Sequence, residues 1–400
     1  MRTERFNKIF LTGLLFVFST YFYAGAQNIT VSDSAKISLI TCSPGPEVYA
    51  KFGHTAIRYQ EPAIGMDVVF NYGIFDFNVT GFYYKFIKGE TDYQLGVYDT
   101  RYFLPEYKER NSQVTEQVLN LTKEEKQKLV DALFTNYLPE NRIYRYNFIF
   151  DNCATRPRDK ILEVINDKVD YKNISKLKTF RDWVGDYTGK KSWTMFGIDL
   201  VFGMDADKYS SAWNSMFLPE ILSKEFGAVQ LVSSGGSIRP LVISEEILVN
   251  KIPNQSNKSF WYREPLFASF VLLAAGLMLT LYGYHRKKHY KSIDSILLII
   301  TGLAGIIIFY LMFFSIHPLV KSNFNLLWCN PLNLFVGIFL WAKKGRVAIN
   351  FFQLANVMLF LATLIVFVLS IQSINVASIP VICLLLVRSL YWLSIHKFHT

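Results

Sequence analysis

The nucleophilic chemistry this sequence offers near neutral pH starts from two types of side chain, a thiol and an imidazole. The thiol is Cys153, in the stretch Phe148-Ile-Phe-Asp-Asn-Cys153-Ala-Thr-Arg-Pro-Arg-Asp159. It ends an apolar run and follows Asp151 and Asn152, both good helix-capping types. Beyond it, Ile161, Leu162, Val164 and Ile165 form an apolar helical stripe. The thiol therefore lies where a strand-like run turns into a helix start. Free N–H groups and the helix dipole stabilise a thiolate there. Pro157 leaves the helix start open anywhere from Cys153 to Arg156. The same stretch also fits a buried, inert cysteine, the commoner role for an unpaired one.

The imidazole is His54, the only histidine ahead of the apolar C-terminal third. Phe52-Gly-His54-Thr-Ala-Ile-Arg-Tyr59 reads as a strand with Phe52, His54, Ala56 and Arg58 on one face. Cysteine catalysis of acyl transfer needs a thiol, an imidazole to take its proton and a polar group to orient the ring. The next strand, Val68 to Phe77, carries three such groups. Tyr72 and Asp76 share a face if no bulge intervenes, Asn71 points the other way, and Gly73 is where a bulge would fall. Cys42, Cys153, Cys329 and Cys383 are scattered, with no CxxC pair and no metal-ligand spacing, so no metal or cofactor is expected. A Cys42–Cys153 disulfide is conceivable in an oxidising compartment. Equally, the cysteine and histidine are open to being unrelated residues, since any such pair can be matched on paper.

The elements that must hold these groups belong to a chain made of two materials. Up to about Arg263 the composition is that of a soluble globular protein; the rest is largely apolar, broken by short basic clusters. The formal charge of +10 is therefore no first evidence for nucleic acid, because much of the excess flanks apolar segments. Arg2, Arg5 and Lys8 precede the apolar run Ile9 to Tyr23, and Ala24-Gly25-Ala26 supplies small residues. This reads as a secretory signal over 1–26 with a mature start near Gln27, or else an uncleaved anchor. Leu121-Thr122-Lys-Glu-Glu125 is a capping box opening a helix with Leu129, Leu133 and Tyr137 on one face. From Lys172 to Glu264 the pattern loosens into packed loops and short helices, where Asp199 and Asp207 have no evident partner.

Five apolar spans follow, at approximately Leu266–Tyr284, Ile293–Phe314, Leu326–Ala342, Phe352–Ser370 and Val376–Leu393. Their length, roughly 17–22 residues, matches a hydrocarbon layer of about 30 Å. The third is interrupted by Asn330-Pro331-Leu-Asn333. Arg286–Lys291, Lys343–Arg346, and Arg388 with Lys397 fall on one side, which sets that side in the cytoplasm and the N-terminal half outside. The connector from Phe314 to Pro331 is unusually polar, with His317, Asn323, Asn325, Trp328 and Asn330 facing the same compartment as Cys153. It reads either as a substrate-binding loop or as a well-packed re-entrant loop.

Thr41-Cys-Ser-Pro-Gly-Pro-Glu, Phe52-Gly-His54-Thr-Ala, Phe70-Asn-Tyr-Gly-Ile-Phe-Asp-Phe77 and Asp151-Asn-Cys153-Ala-Thr-Arg, with the His-Pro…Asn-Leu-Leu-Trp…Asn-Pro-Leu-Asn loop, carry a resemblance. Together they resemble the bacterial lipoprotein N-acyltransferase family called Lnb, along most of the chain. The resemblance implies an α+β fold. A circularly permuted papain-like exported domain, similar to NlpC/P60 and lecithin-retinol acyltransferase-like enzymes, is joined to an all-α bundle of five transmembrane helices. The implied division is 27–170 catalytic, 171–264 a periplasmic extension packing on it, and 265–400 membrane. It implies a multi-pass inner-membrane enzyme with its large domain in the periplasm and its C-terminus in the cytoplasm. Cys153 would be the nucleophile and His54 its base, with Asp76 and Tyr72 ranked ahead of Asn71 as the orienting group. Helix-start N–H groups would hold the oxyanion. Asn152, Arg58 and the outer-loop residues His317, Asn323, Asn325, Trp328 and Asn330 would bind substrate. The donor would be a membrane phospholipid and the acceptor a diacylated lipoprotein, with no nucleic-acid partner. Two rivals remain: a cell-wall peptidase or amidase of NlpC/P60 type, and a non-catalytic membrane-anchored lipoprotein-binding module.

Overall fold

The computed structural model describes residues 29–172, 176–252, 260–341 and 345–396. The expected signal peptide, Gln27, Lys343, Lys344 and Lys397 lie outside the described residues.

Segments rich in β-branched and aromatic residues build an antiparallel sheet. Its strands are β1 (Lys36–Cys42), β2 (His54–Glu61), β3 (Met66–Ile74), β4 (Asp92–Asp99), β5 (Val114–Leu119) and β6 (Ile143–Arg145). Strands β7 (Lys168–Asp170), β8 (Gln230–Val232) and β9 (Ile238–Pro240) make a second, small sheet. The seventh strand of the large sheet, β10 (Val242–Val249), comes from the stretch after 170 and pairs with β5, so the order is β10-β5-β1-β2-β3-β4-β6. The central strands are covered on both faces. Ile37, Leu39, Ile57, Tyr59, Phe70 and Tyr72 face one core. Ile40, Cys42, Ala56 and Val69 face another. Each fully buried Leu or Ile contributes about 1.5–3 kcal/mol to holding these layers together.

The N-terminal half has seven helices that matter here: α1 (Phe82–Lys88), α2 (Thr100–Glu109), α3 (Lys123–Tyr137), α4 (Thr155–Glu163), α5 (Phe180–Thr188), α6 (Trp193–Val201) and α7 (Pro219–Ala228). The capping box opens α3, with Thr122 accepting from the Glu125 N–H and the Glu125 carboxylate accepting from the Thr122 N–H. Leu129, Val130 and Leu133 of α3 and Ile161 of α4 fill the first core. Phe103 and Tyr107 of α2 cover the second.

The C-terminal part is helical: α8 (Pro265–Arg286), α9 (Lys291–Phe314), α10 (Asn325–Trp328), α11 (Leu332–Phe339), α12 (Arg346–Val368) and α13 (Ser378–Ile395). Four of these, α8, α9, α12 and α13, are long and apolar enough to cross a membrane. The expected third span is not a single helix of membrane length. Asn325–Phe339 is shorter and is broken between Trp328 and Leu332, because Pro331 lacks an N–H and interrupts the hydrogen-bond ladder. It still joins the two ends of the bundle. Asn325 donates to the Asp199 carbonyl of α6, while the Gly337 carbonyl accepts from Ser295, one turn into α9. Arg388, read from sequence as an orienting charge, is buried instead. It pairs with Asp294 at 2.5 Å and donates to Thr280, and His289 bonds the other Asp294 oxygen at 2.6 Å.

Polar groups fasten the two halves together. Arg181 of α5 pairs with both Asp199 and Asp207 at 2.7 Å, giving these acids the partner that sequence could not name. Asn375 then donates to Asp199, and the Ser373 N–H to Asp207. Both lie in the connector between α12 and α13, so the seam joins the N-terminal half to that end of the bundle.

Candidate active site

The hairpin β2–β3 decides which side chains meet His54. The connection Pro62–Gly65 sets Glu61 opposite Met66 and Arg58 opposite Val69. That register puts odd-numbered residues of β3 on the face of even-numbered residues of β2. Asn71 therefore lies on the His54 face, and Tyr72 on the opposite one, inside the core. The Asn71 Oδ1 accepts from His54 Nε2 at 2.5 Å. This leaves Nδ1 as the nitrogen serving the thiol, and His54 and Cys153 are hydrogen-bonded.

Strand pairing between β2 and β3 ends at Ile57 and Phe70, and the β3–β4 ladder shifts register between Asn71 and Ile74. Gly73 occupies this irregular stretch at φ +96°, a left-handed conformation favouring glycine. A Cβ there would stand 3.5 Å from Cys153 Cβ and 3.7 Å from His54 Cε1. The β-bulge thus brings backbone close to both reactive groups. Gly73→Ala is expected to lower Cys153-dependent turnover about 10-fold or more, since a side chain at this positive φ costs of order 1–3 kcal/mol and the strain would be relieved by shifting the backbone that lies against both groups. A variant as active as wild type in a turnover assay would refute the required close approach.

Burial works against a thiolate at Cys153. The facing His54 charge and hydrogen bond, with the backbone N–H groups of Thr55 and Cys153 itself, outweigh it and hold the thiol below its ordinary value. Burial likewise pulls His54 down, but the Cys153 charge, its hydrogen bond and the bond to Asn71 outweigh it and raise the imidazole. The two shifts describe one thiolate–imidazolium pair. Cys42 behaves oppositely: burial pushes its thiol well up, against a weaker hydrogen bond with Tyr107. All four cysteines are free, so no disulfide ties Cys42 to Cys153.

Several expected site residues lie elsewhere. Asp76 accepts from the N–H and the amide of Asn78 in an exposed turn. Tyr72 donates to Asn136 at 2.7 Å from within the core. The register puts Asn71 beside His54 in place of both. Arg58 is spent on Asp67 and Glu116, at 2.6 and 3.1 Å, so its guanidinium braces the sheet. Asn152 is buried, and its amide donates to the Phe148 and Phe217 carbonyls. Its Oδ1 accepts from the N–H groups of Ala154 and Thr155. The helix-start donors expected for an oxyanion are thereby taken, and the N–H groups that do point at the sulfur are those of Thr55 and Cys153.

The outer-loop set also does something other than expected. Asn323 donates to the Leu200 carbonyl and accepts from the Asn325 N–H and Gln372. Asn325 donates to the Asp199 and Leu200 carbonyls and accepts from Trp328, which is buried. Asn330 accepts from the Leu332 N–H at the helix break. His317 bonds the Phe86 carbonyl of α1 at 2.7 Å. Asn323, Asn325 and His317 thus dock the N-terminal half on the bundle. Docking also sets the site's location: Phe52, near His54, and Phe148, near Cys153, pack in one cluster with Leu319 of the outer loop.

Sequence reading missed the Thr55 N–H and the contact role of Gly73. The hairpin parity around Pro62–Gly65 was the available signal for Asn71.

Two family models match the chain. One, described as the Lnb N-terminal periplasmic domain, covers residues 22–185; the other, the Lnb transmembrane domain, covers residues 255–398. No curated protein and no solved structure matches it.

Proposed function

The chain belongs to the Lnb family, and from that premise we propose that it is a membrane acyltransferase acting on the α-amine of diacylglyceryl-cysteine in bacterial lipoproteins. The observation carrying this reading is the hydrogen-bonded series Cys153–His54–Asn71, beside loops that lean on the outer end of the membrane bundle. An early-strand histidine followed by a cysteine just ahead of a helix is also the order of permuted papain-like enzymes.

In the proposed reaction the Cys153 thiolate attacks an ester carbonyl carbon of a phospholipid. The N–H groups of Thr55 and Cys153, aimed at the sulfur, would turn to the oxyanion on the attached carbon. The His54 imidazolium gives its proton to the departing alcohol oxygen as the C–O bond breaks. A thioester and a lysophospholipid result. The lipoprotein α-amine then attacks the thioester, His54 takes its proton, and the thiolate leaves as the amide forms. Both substrates are lipid-anchored, and drawing a chain into water costs about 0.8 kcal/mol per CH₂. A thiol held against the membrane bundle reduces that cost. A peptidase acting on a hydrated cell-wall polymer has no such need of the bundle.

Expression in a bacterial strain lacking lipoprotein N-acylation tests this reading. Mass spectrometry of lipoprotein N-termini is expected to reveal a third acyl chain. N-termini that stay diacylated with the protein made and inserted would refute it. Release of peptidoglycan fragments instead would favour the peptidase.

A further inference from the structure

The loop after the bulge and α1 present an unusual surface for an exported domain. Phe77, Val79, Tyr83, Tyr84, Phe86 and Ile87 are all substantially exposed, Tyr83 by 74%. The patch joins the bundle directly. The Ile316 N–H donates to the Lys88 carbonyl at 2.9 Å, His317 bonds the Phe86 carbonyl, and Tyr84 is hydrogen-bonded to Tyr310 of α9. At the same end of α9, Phe313, Phe314 and Ile316 are exposed as well. Lys85 and Lys88 stand among these aromatics, Lys88 paired with Glu90 at 2.8 Å, and a mix of basic and aromatic side chains suits anionic lipid headgroups.

A row of rings runs inward from this surface. Phe77 packs on Phe75 and Phe82, with centroids 4.8 and 5.1 Å away. Phe75 stacks on Tyr93 at 4.9 Å, and Tyr93 on Tyr146 at 4.1 Å. Tyr146 leads along the chain toward Cys153, and burial first, then the thiolate's charge, push the phenols of Tyr93 and Tyr146 upward.

We infer that residues 77–87 lie in the outer lipid interface beside α9 and form an apolar ramp along which a phospholipid acyl chain passes from the bilayer to Cys153. The occupant is lipid because the patch is continuous with the bundle's exposed apolar surface and carries Lys85, suited to phosphate. The ramp rests on the acyl-transfer reading above; the lipid contact of α1 does not.

The test uses the full chain carrying Cys153→Ala, in vesicles of phosphatidylethanolamine and phosphatidylglycerol. The photoreactive p-benzoylphenylalanine replaces Tyr83 or, as a control, Ile238, which is 67% exposed on β9 of the small sheet. After irradiation, at least a tenfold higher yield of phospholipid adduct is expected at position 83. Equal yields, or none at position 83, would overturn the lipid contact. A phospholipid with a diazirine on its acyl tail tests the ramp in the same inactive chain. Adducts on Phe75, Phe77 or Tyr93 support it, and adducts confined to the bundle overturn it. Because this chain cannot catalyse, adducts at position 83 alongside failed N-acylation by the wild type would sink the functional reading and leave the interface standing. Normal N-acylation without those adducts would do the reverse.

Discussion

Cys153→Ser and His54→Ala are each expected to reduce lipoprotein N-acylation by on the order of 10⁴-fold, with no greater loss when combined. A serine hydroxyl in the same position is far less acidic than a thiol, and the site stabilises its anion chiefly by one imidazolium and two backbone N–H groups. Removing the imidazole leaves a thiol that burial drives upward against only the two backbone N–H groups. The non-additivity follows because neither group acts without the other. Cys42→Ala is expected to keep transfer within a few-fold of wild type, since that thiol is buried, raised and turned to Tyr107. Quantitative mass spectrometry of lipoprotein N-termini measures all four proteins. Trapping of an acyl adduct by intact-protein mass spectrometry separates a thioester route from direct transfer. Loss of activity in Cys42→Ala with retention in Cys153→Ser would reverse the assignment.

Asn71→Ala should cost about 10²-fold in transfer, in the range found for loss of a single oriented hydrogen bond in an active site. Its pH dependence separates orientation from mere folding. In the wild type, against burial, the Cys153 thiol is lowered and the His54 imidazole raised, each chiefly by the other's charge and their shared hydrogen bond, so the pairing widens the pH range over which both are charged. Thiol alkylation should persist below the ordinary thiol range and fall only as pH drops through the lowered value. Transfer, which needs the imidazolium as acid, should fall on both sides. Asn71 is one of the groups holding His54 up. Without it the imidazole loses its proton at lower pH, so the upper limit moves down. The thiol then faces an imidazolium less often, and the lower limit moves up. The window narrows from both sides. An unchanged alkylation profile in a variant with reduced transfer would show that Asn71 acts in some other way than through His54.

The candidate nucleophile and base were legible because their chemistry is local. A cysteine behind an Asp-Asn pair and ahead of an apolar stripe is a helix-entry thiol wherever the rest of the chain goes, and His54 had no competitor in its half. The third group was not legible in that way. Tyr72, Asn71 and Asp76 sit within six residues of each other, and a one-residue change of register exchanges the faces of the whole strand. The Pro62–Gly65 connection selects the register, and the irregular stretch at Gly73 ends it. Only the folded hairpin chooses Asn71.

The outer loop teaches the same lesson about polar groups. Asn323, Asn325 and Trp328 were conspicuous beside apolar spans, and a buried amide there must be paired. Sequence reveals that need without naming the partner. The partners prove to be backbone carbonyls of α6, more than 100 residues away in the chain.

By itself, then, the sequence determined the quantities that sum along the chain: the length and apolarity of the four membrane-length helices, the capping box of α3, and the placing of the candidate thiol just ahead of a helix. The tertiary structure alone decided what depends on pairing across it: Asn71 over Asp76 and Tyr72, Arg58 and Arg388 as braces, and the division of the third apolar span into two short helices. The reason is physical. Hydropathy and capping are set by residues within a few turns, whereas a polar side chain's role is fixed by whichever distant group satisfies it once water is excluded.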